Sequence, residues 1–393
     1  MALLFSAFQN RTHFGYTCIV MAAKRKLKLA VAARGMGKIT GVEKYVNGFL
    51  GGLSPYHDRF EIHIYYNQRD HIGSFPHLHE HCIPTRLRFL WDHVLLPLAL
   101  LREGFDLVLY TKNTCSLLAP GRSLLIVYDL GYFYPELHAY RPLDTLYMKA
   151  MLRYSARCAW GIFTISESTR QDVIRLLGAA PEKVVSILGD TTDEFAPVID
   201  TAALQRVKQK YNLQQPFIFY PADISPRKNI DRLLQSFTDV IEQIPHHLYL
   251  TGMRAWNTSE LQKRLRGSGL RRVHRLGRVE AADMPALYSL ADFSVYISLF
   301  EGLGLPVLEA FSCGSPLMAS TQTSIPELTG DAAYMVDGYA KDEIAAGLFA
   351  LAQDEPLKAR LRAAGFERAK LFSWQKTVAA AVHWIEQNWA QNP

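Results

Sequence analysis

The chain has 393 residues, 49% of them hydrophobic and 20% charged, with a formal net charge of +6. That length accommodates two domains with full cores, and the composition is that of a globular protein rather than a disordered one. The longest basic run is Lys24-Arg25-Lys26 and no apolar run approaches the ~18 residues that span a bilayer, so neither a nucleic-acid footprint nor a membrane-spanning helix is indicated.

The five cysteines form no Cys-x-x-Cys pair, so they suggest neither a disulfide framework nor a zinc site, and they fit a reducing cytosol. Residues 1–20 lack a basic segment before an apolar core, which argues against a signal peptide. They read as a disordered or non-native extension ahead of Met21.

Lys28 to Ala32 has a short buried-strand pattern, followed by Gly35-Met36-Gly37-Lys38-Ile39-Thr40-Gly41-Val42-Glu43. Thr40-x-x-Glu43 is a capping box, and Val42, Tyr45, Val46, Phe49 and Leu50 recur at helical spacing. Strand, Gly loop and capped helix make a first βα unit, with the loop at the sheet edge where α/β proteins bind ligands. Phe60 to Tyr66 reads as a second strand. His77-Leu78-His79-Glu80-His81 would place three histidines on one strand face but lacks the spacing of the helical zinc motif, so it is read as a solvated edge. Trp91 to Leu101 is an apolar helix that Pro97 should kink or divide. Phe105 to Tyr110 and Ser123 to Val127 are strands, the second ending at Tyr128-Asp129-Leu130.

Arg141 to Trp160 reads as a long helix with Tyr147, Met151, Tyr154 and Cys158 along one stripe and Lys149, Arg153 and Arg157 on a basic flank. Core packing with a solvated basic face is the first reading, a membrane-touching face the second. Gly161 to Ile165 is a strand, Ser166 an N-cap, Lys183 to Ile187 another strand, and Leu188 to Thr201 a polar linker. Asp190-Thr-Thr-Asp193 has the wrong spacing for a metal-binding Asp-x-Asp.

The second half opens with a strand, Phe217 to Tyr220, and then Pro226-Arg227-Lys228-Asn229. Asn229 reads as the N-cap of a helix whose face is Ile230, Leu233, Leu234, Phe237 and Ile241. Two cations just before a helix N-terminus are repelled by the dipole unless an anion neutralises them. His247 to Thr251 and Val273 to Leu276 are strands, Asp283 to Leu290 a helix, and Phe293 to Ile297 a strand. There follows Phe300-Glu301-Gly302-Leu303-Gly304-Leu305-Pro306-Val307-Leu308-Glu309-Ala310, in which the glycines allow close backbone approach and Pro306 starts a helix that Gly314 closes. The start of that helix is an anion site, and Glu301 and Glu309 face a ligand from two heights. Pro316 to Ser320 is a strand. The tail, Glu343 to Trp389, reads as helical with a break at Phe372-Ser373-Trp374.

The Glu301-x7-Glu309 motif and Pro226-Arg227-Lys228-Asn229 resemble the retaining glycosyltransferases of glycosyltransferase family 4, nearest the bacterial polysaccharide mannosyltransferase branch. The resemblance implies an α/β fold of the GT-B type, with two doubly wound Rossmann-like domains facing a cleft. Residues 21–195 would form the acceptor-side domain, 196–372 the donor-nucleotide domain, and 373–393 a helix returning to the first domain. It implies that Glu309 holds the nucleotide ribose and Glu301 the donor sugar. The backbone of Gly302, Leu303, Gly304 and Leu305 would contact sugar or phosphate, and Arg227 with Lys228 the diphosphate. Gly35, Gly37 and Lys38 would face the donor phosphates, although a plain tight turn is an equal reading for Lys38. Tyr128 and Asp129 complete the catalytic set.

Two departures from the family pattern stand out. Tyr128 occupies a position where many members carry His, and Ala222 and Asp223 stand where a further Arg is common, so that Arg227 substitutes for it. The resemblance further implies a nucleotide-sugar donor, with a lean to GDP-mannose, and a glycan or lipid-linked acceptor. It implies no metal, no cofactor and no nucleic acid, and a cytoplasmic enzyme with peripheral membrane contact. A non-catalytic nucleotide-sugar binder and a nucleotide-sugar epimerase of the same fold are the alternatives. A nicotinamide-dependent oxidoreductase would need Gly-x-Gly-x-x-Gly followed by an acidic residue, which is absent.

Overall fold

The computed structural model describes residues 25–34, 36, 41–118, 120–137, 140–191, 193–252 and 271–391. The expectations for residues 1–20 and for Gly35, Gly37, Lys38 and Thr40 lie outside the described residues.

The first half contributes β1 (Leu27–Ala32), β2 (Phe60–Tyr66), β3 (His79–Cys82), β4 (Leu107–Tyr110), β5 (Arg122–Val127), β6 (Gly161–Thr164) and β7 (Val184–Ser186). They form one parallel sheet in the order β3-β2-β1-β4-β5-β6-β7. The second half contributes β8 (Phe217–Tyr220), β9 (His247–Thr251), β10 (Val273–Gly277), β11 (Phe293–Tyr296), β12 (Leu317–Ser320) and β13 (Tyr334–Val336), in the order β10-β9-β8-β11-β12-β13. The central strands are apolar on both faces, as helices covering both sides of a parallel sheet require: β4, β5, β8 and β11 are buried throughout or nearly so.

In chain order the labelled helices are α1 (Gly41–Leu53), α2 (Leu96–Glu103), α3 (Pro142–Cys158), α4 (Glu167–Leu177), α5 (Thr201–Lys210), α6 (Ile230–Val240), α7 (Met284–Leu290), α8 (Leu305–Ser312), α9 (Ile325–Thr329), α10 (Lys341–Gln353), α11 (Glu355–Ala369) and α12 (Trp374–Gln391). The last crosses back to the first half. Trp374 donates Nε1–H to the Thr191 carbonyl at 3.0 Å and packs edge-on against Tyr45, with ring centroids 4.9 Å apart. Trp384 lies against Trp160 and Phe163. Two doubly wound sheets and a returning helix are the GT-B architecture.

Several local expectations need correction. Pro97 does divide its helix, but through a π-helical turn, Trp91–Leu95, because the proline lacks the N–H that would bond the carbonyl four residues back. The buried stripe of α3 is Met148, Met151, Leu152, Ser155 and Ala156. Tyr147 and Tyr154 are turned aside to bond His93 and the Leu117 carbonyl, and Cys158 is exposed. The tail breaks a second time at Asp354, whose side chain caps the amide of Leu357 beside Pro356. Ser166 caps α4 as expected, accepting from the Thr169 amide at 3.0 Å. Asn229 does not cap by its side chain. It sits in the left-handed region at φ 60°, and its amide ties the Ile297 and Gly338 carbonyls together.

Candidate functional site

In each sheet the strand order reverses between the first strand and its neighbour: β1 next to β4 in one, β8 next to β11 in the other. Loops diverge from such a switch point and leave a crevice at the carboxyl ends of the strands. In the second sheet the loops leaving that point carry Arg227 and Lys228 after β8 and residues 297–304 after β11.

These two loops meet through charge. Glu301 accepts from Lys228 Nζ at 2.5 Å with one carboxylate oxygen and pairs with an Arg227 guanidinium nitrogen at 2.9 Å with the other. Lys228 also donates to the Tyr296 hydroxyl at 2.7 Å, and Arg227 to the Phe300 carbonyl at 3.1 Å. Lys228 and Glu301 are each 8% exposed. Burial would push the Glu301 carboxyl up, but Arg227 and Lys228 overcome this and hold it below the usual carboxylate range. Burial lowers the Lys228 ammonium to about 8, more than Glu301 raises it. The anion that neutralises the two cations is thus a residue of the chain, and the trio keeps one net positive charge.

The backbone of the loop after Glu301 is fixed by side chains that precede α9. Ser324 Oγ donates to the carbonyls of Glu301 and Leu303 at 3.0 and 2.9 Å, and Thr323 Oγ1 accepts from the Glu301 amide. Gly304, at φ 100°, leads into α8, a conformation any side chain would strain. The side chains of Leu303 and Leu305 are buried in the core, so these two residues can offer a ligand only their backbone. Gly302 is fixed by a close approach: a Cβ there would stand 2.0 Å from the Tyr128 carbonyl of the other half.

The first half supplies the facing wall. Tyr128 donates its amide to Asn113 Oδ1 at 2.8 Å, and Thr169 Oγ1 reaches both the Tyr128 carbonyl at 3.2 Å and the Gly302 carbonyl at 3.4 Å. The Tyr128 ring packs edge-on against Tyr45 and is 6% exposed, with its hydroxyl buried and without a hydrogen-bond partner among the described residues. Asp129 accepts from the Gly131 amide at 2.9 Å. Burial raises its carboxyl, which the nearby Arg227 only partly offsets.

Glu309 lies apart from Glu301 and is 4% exposed. One oxygen pairs with Lys44 Nζ of α1 at 2.5 Å and the other accepts from the Tyr288 hydroxyl at 2.9 Å. Glu301, Arg227, Lys228, Tyr128, Asp129 and Gly302 therefore converge, while Glu309 forms a second point of contact between the halves. Sequence reasoning missed Lys44, Tyr288, Thr169 and Glu327, whose carboxylate accepts from the amides of Glu167 and Ser168 at 2.7 and 2.6 Å. Their partners are far away in the chain, and no local pattern marks them.

The chain is similar to known proteins. The family model for glycosyl transferases group 1 matches residues 215–354. O-antigen chain mannosyltransferase B of Escherichia coli is 34% identical over 268 residues, 67% of this chain and 69% of that protein. The serotype-specific mannosyltransferase WbdA of Escherichia coli is 30% identical over 285 residues, which are 70% of this chain but 34% of that longer protein. Among solved structures, Anabaena HepE in complex with UDP and glucose superposes with a TM-score of 0.72 at 17% identity, covering 92% of this chain and 99% of that one. A sucrose-phosphate synthase from Thermosynechococcus elongatus reaches 0.73 at 18% identity, covering 93% and 100%. At such identities the structural likeness is one of fold.

Proposed function

Since the chain belongs to the glycosyl transferases group 1 family, we propose that it moves mannose from GDP-mannose to a glycan or lipid-linked acceptor with retention of configuration. The observation that carries this reading is the Arg227–Lys228–Glu301 cluster, set at a topological switch point beside the start of α8. A sugar diphosphate leaving group gains negative charge as the glycosidic bond breaks. Two cations fixed in advance, with a helix terminus beside them, stabilise that charge more than they stabilise the bound donor.

In this reading Glu301 is first a positioning residue. It holds both cations in place and has its remaining lone pairs for a donor-sugar hydroxyl. The amides of Gly304 and Leu305 contact sugar or phosphate; Gly35, Gly37 and Lys38, assigned to the donor phosphates by the sequence resemblance, lie outside the described residues. Glu309 binds the ribose hydroxyls, sharing its carboxylate with Lys44 or exchanging Lys44 for them. The buried, partnerless hydroxyl of Tyr128 would have to turn from Tyr45 toward the cleft to reach donor or acceptor, and the charge of Arg227 acts on Asp129. The division at residues 195/196 and 372/373 separates acceptor side, donor side and returning helix. The chemistry assigned to the cations requires no metal ion. Replacing Arg227 and Lys228 together by Ala should lower kcat more than it raises KM, because their effect grows with leaving-group charge. A pure KM effect would assign them to ground-state binding only.

Peripheral membrane contact is supported by the outer face of the first half. No helix among the described residues is long and apolar enough to cross a membrane. Phe89, Leu98, Leu118, Leu143 and Leu146 are nonetheless all at least half exposed, and Arg88 and Arg102, neighbours of Phe89 and Leu98 in the chain, are exposed too. Flotation with anionic vesicles tests this, and equal recovery with and without vesicles would remove it.

A further inference from the structure

Away from the cleft, at the edge of the first sheet, the register of two strands gathers imidazoles. β3 pairs with β2 so that His79 stands beside His63 and His81 beside Tyr65, all on the face that Glu103, the last residue of α2, also reaches. By itself the sequence motif reads as a solvated edge; the fold adds His63 from the neighbouring strand, 7% exposed, and Glu103 from the covering helix. Glu80, the acid within the motif, points elsewhere and accepts from the Tyr66 hydroxyl and the Gly73 amide.

We propose that His63 Nδ1, His81 Nε2 and the Glu103 carboxylate form a binding site for a divalent transition-metal ion of the zinc type. The three ligand atoms lie within 4.8 Å of one another. His63 Nδ1 is 2.9 Å from His81 Nε2 and 3.5 Å from a Glu103 oxygen. Tetrahedral bonds of about 2.0–2.1 Å from zinc to nitrogen and oxygen place ligand atoms roughly 3.4 Å apart, within about half an ångström of both separations measured from His63 Nδ1.

The tautomer favours a cation. His63 Nε2 is 3.0 Å from a Glu61 oxygen, and an ionised carboxylate only accepts, so Nε2 carries the proton and Nδ1 presents its lone pair. In the metal-free protein that lone pair accepts from His81 Nε2–H at 2.9 Å, beside the Glu103 carboxylate, so a bound cation would take the place of that one proton. A carboxylate bonded to the far nitrogen of a histidine is also the usual outer partner of a metal-ligating imidazole.

Tyr65 walls the cluster: it is 1% exposed, its ring is stacked on His81 with centroids 4.6 Å apart, and its hydroxyl has the Glu103 carboxylate as its acceptor. Two imidazoles with one carboxylate suit zinc, cobalt or nickel rather than magnesium or calcium. The exposed flank at His79 and Glu103 leaves solvent access and room for a fourth, water ligand.

The test uses the full chain without a polyhistidine tag, stripped of metal and titrated with zinc chloride by calorimetry, with cobalt as a spectroscopic replicate. One equivalent should bind, cobalt should give the strong visible absorption of a tetrahedral site, and the melting temperature should rise. His81→Ala and Glu103→Gln should each weaken zinc by more than tenfold, and Glu61→Gln by about 10–100-fold as an orienting partner. GDP release from GDP-mannose should be unchanged in all three. Absence of saturable zinc uptake by the wild-type chain would mean that a proton occupies the His63 lone pair. Uptake unaltered in both His81→Ala and Glu103→Gln would place the ion elsewhere. Either result overturns the proposal.

Discussion

Glu301 and Glu309, the two carboxylates of one motif, neutralise different cations, and this separates their roles. Glu309→Ala should weaken nucleotide diphosphate binding by roughly 1.5–3 kcal/mol, the range for a hydrogen bond to a charged group. Calorimetry with GDP measures it, and unaltered affinity would rule out the ribose contact. Lys228 gives a pH signature. Its ammonium is lowered by burial from the ordinary 10.5 to about 8, so in the free enzyme its charge is present below that pH and lost above it. Accordingly kcat/KM should fall as pH rises through about 8, while Lys228→Arg, which cannot deprotonate there, should keep a flat limb. A profile unaffected by the Arg substitution would show that another group titrates. Tyr128→Phe removes a buried hydroxyl with no partner in the described structure. The ligand-free protein should become no less stable, and turnover should fall roughly tenfold if that hydroxyl contributes about 1.4 kcal/mol in the transition state. The chemistry of these residues was legible from the sequence. Their pairings, Lys44 with Glu309 above all, were not, because no local rule connects residues so far apart in the chain.

Elements were legible where one physical signal dominated. Central strands announced themselves by continuous apolar runs, and α8 by Pro306 at its start and Gly314 after its end. The misreadings fall where two signals compete. Asn229 has the chemistry of a cap but adopts a left-handed conformation to tie two carbonyls, and Tyr147 and Tyr154 have the spacing of a buried stripe but turn aside to bond His93 and the Leu117 carbonyl. The loop before α8 yields a sharp test. With a Cβ at Gly302 set 2.0 Å from the Tyr128 carbonyl, Gly302→Ala must push apart the two strand-end loops. Overpacking of this kind costs about 1–3 kcal/mol, and here the displacement falls on the site. Turnover should drop sharply while urea unfolding shows only that modest loss. An alanine variant of full activity would mean that the two halves do not need this contact in the catalytic state.

At the scale of the whole molecule, the halves are joined by contacts that bracket the cleft. Lys44 reaches Glu309, Glu327 caps the start of α4 across the divide, and α12 lies back on α1. The paired sheets were foreseeable from alternating strand and helix patterns and the returning helix from the family resemblance, but the closeness of the halves was not, since it depends on side chains meeting from opposite domains. The central claim is that this assembled cleft transfers mannose from a nucleotide donor. The measurement that bears on it most directly is nucleoside diphosphate release from GDP-mannose, GDP-glucose, UDP-glucose and ADP-glucose, with and without membrane-derived lipid-linked glycan, followed by NMR of the new anomeric centre. The account predicts fastest release from GDP-mannose, stimulation by the glycan fraction, an α-linked product, and loss of release in the Arg227→Ala Lys228→Ala protein. Tight binding of GDP-mannose with no release or transfer under any condition, or a product with inverted configuration, would contradict it.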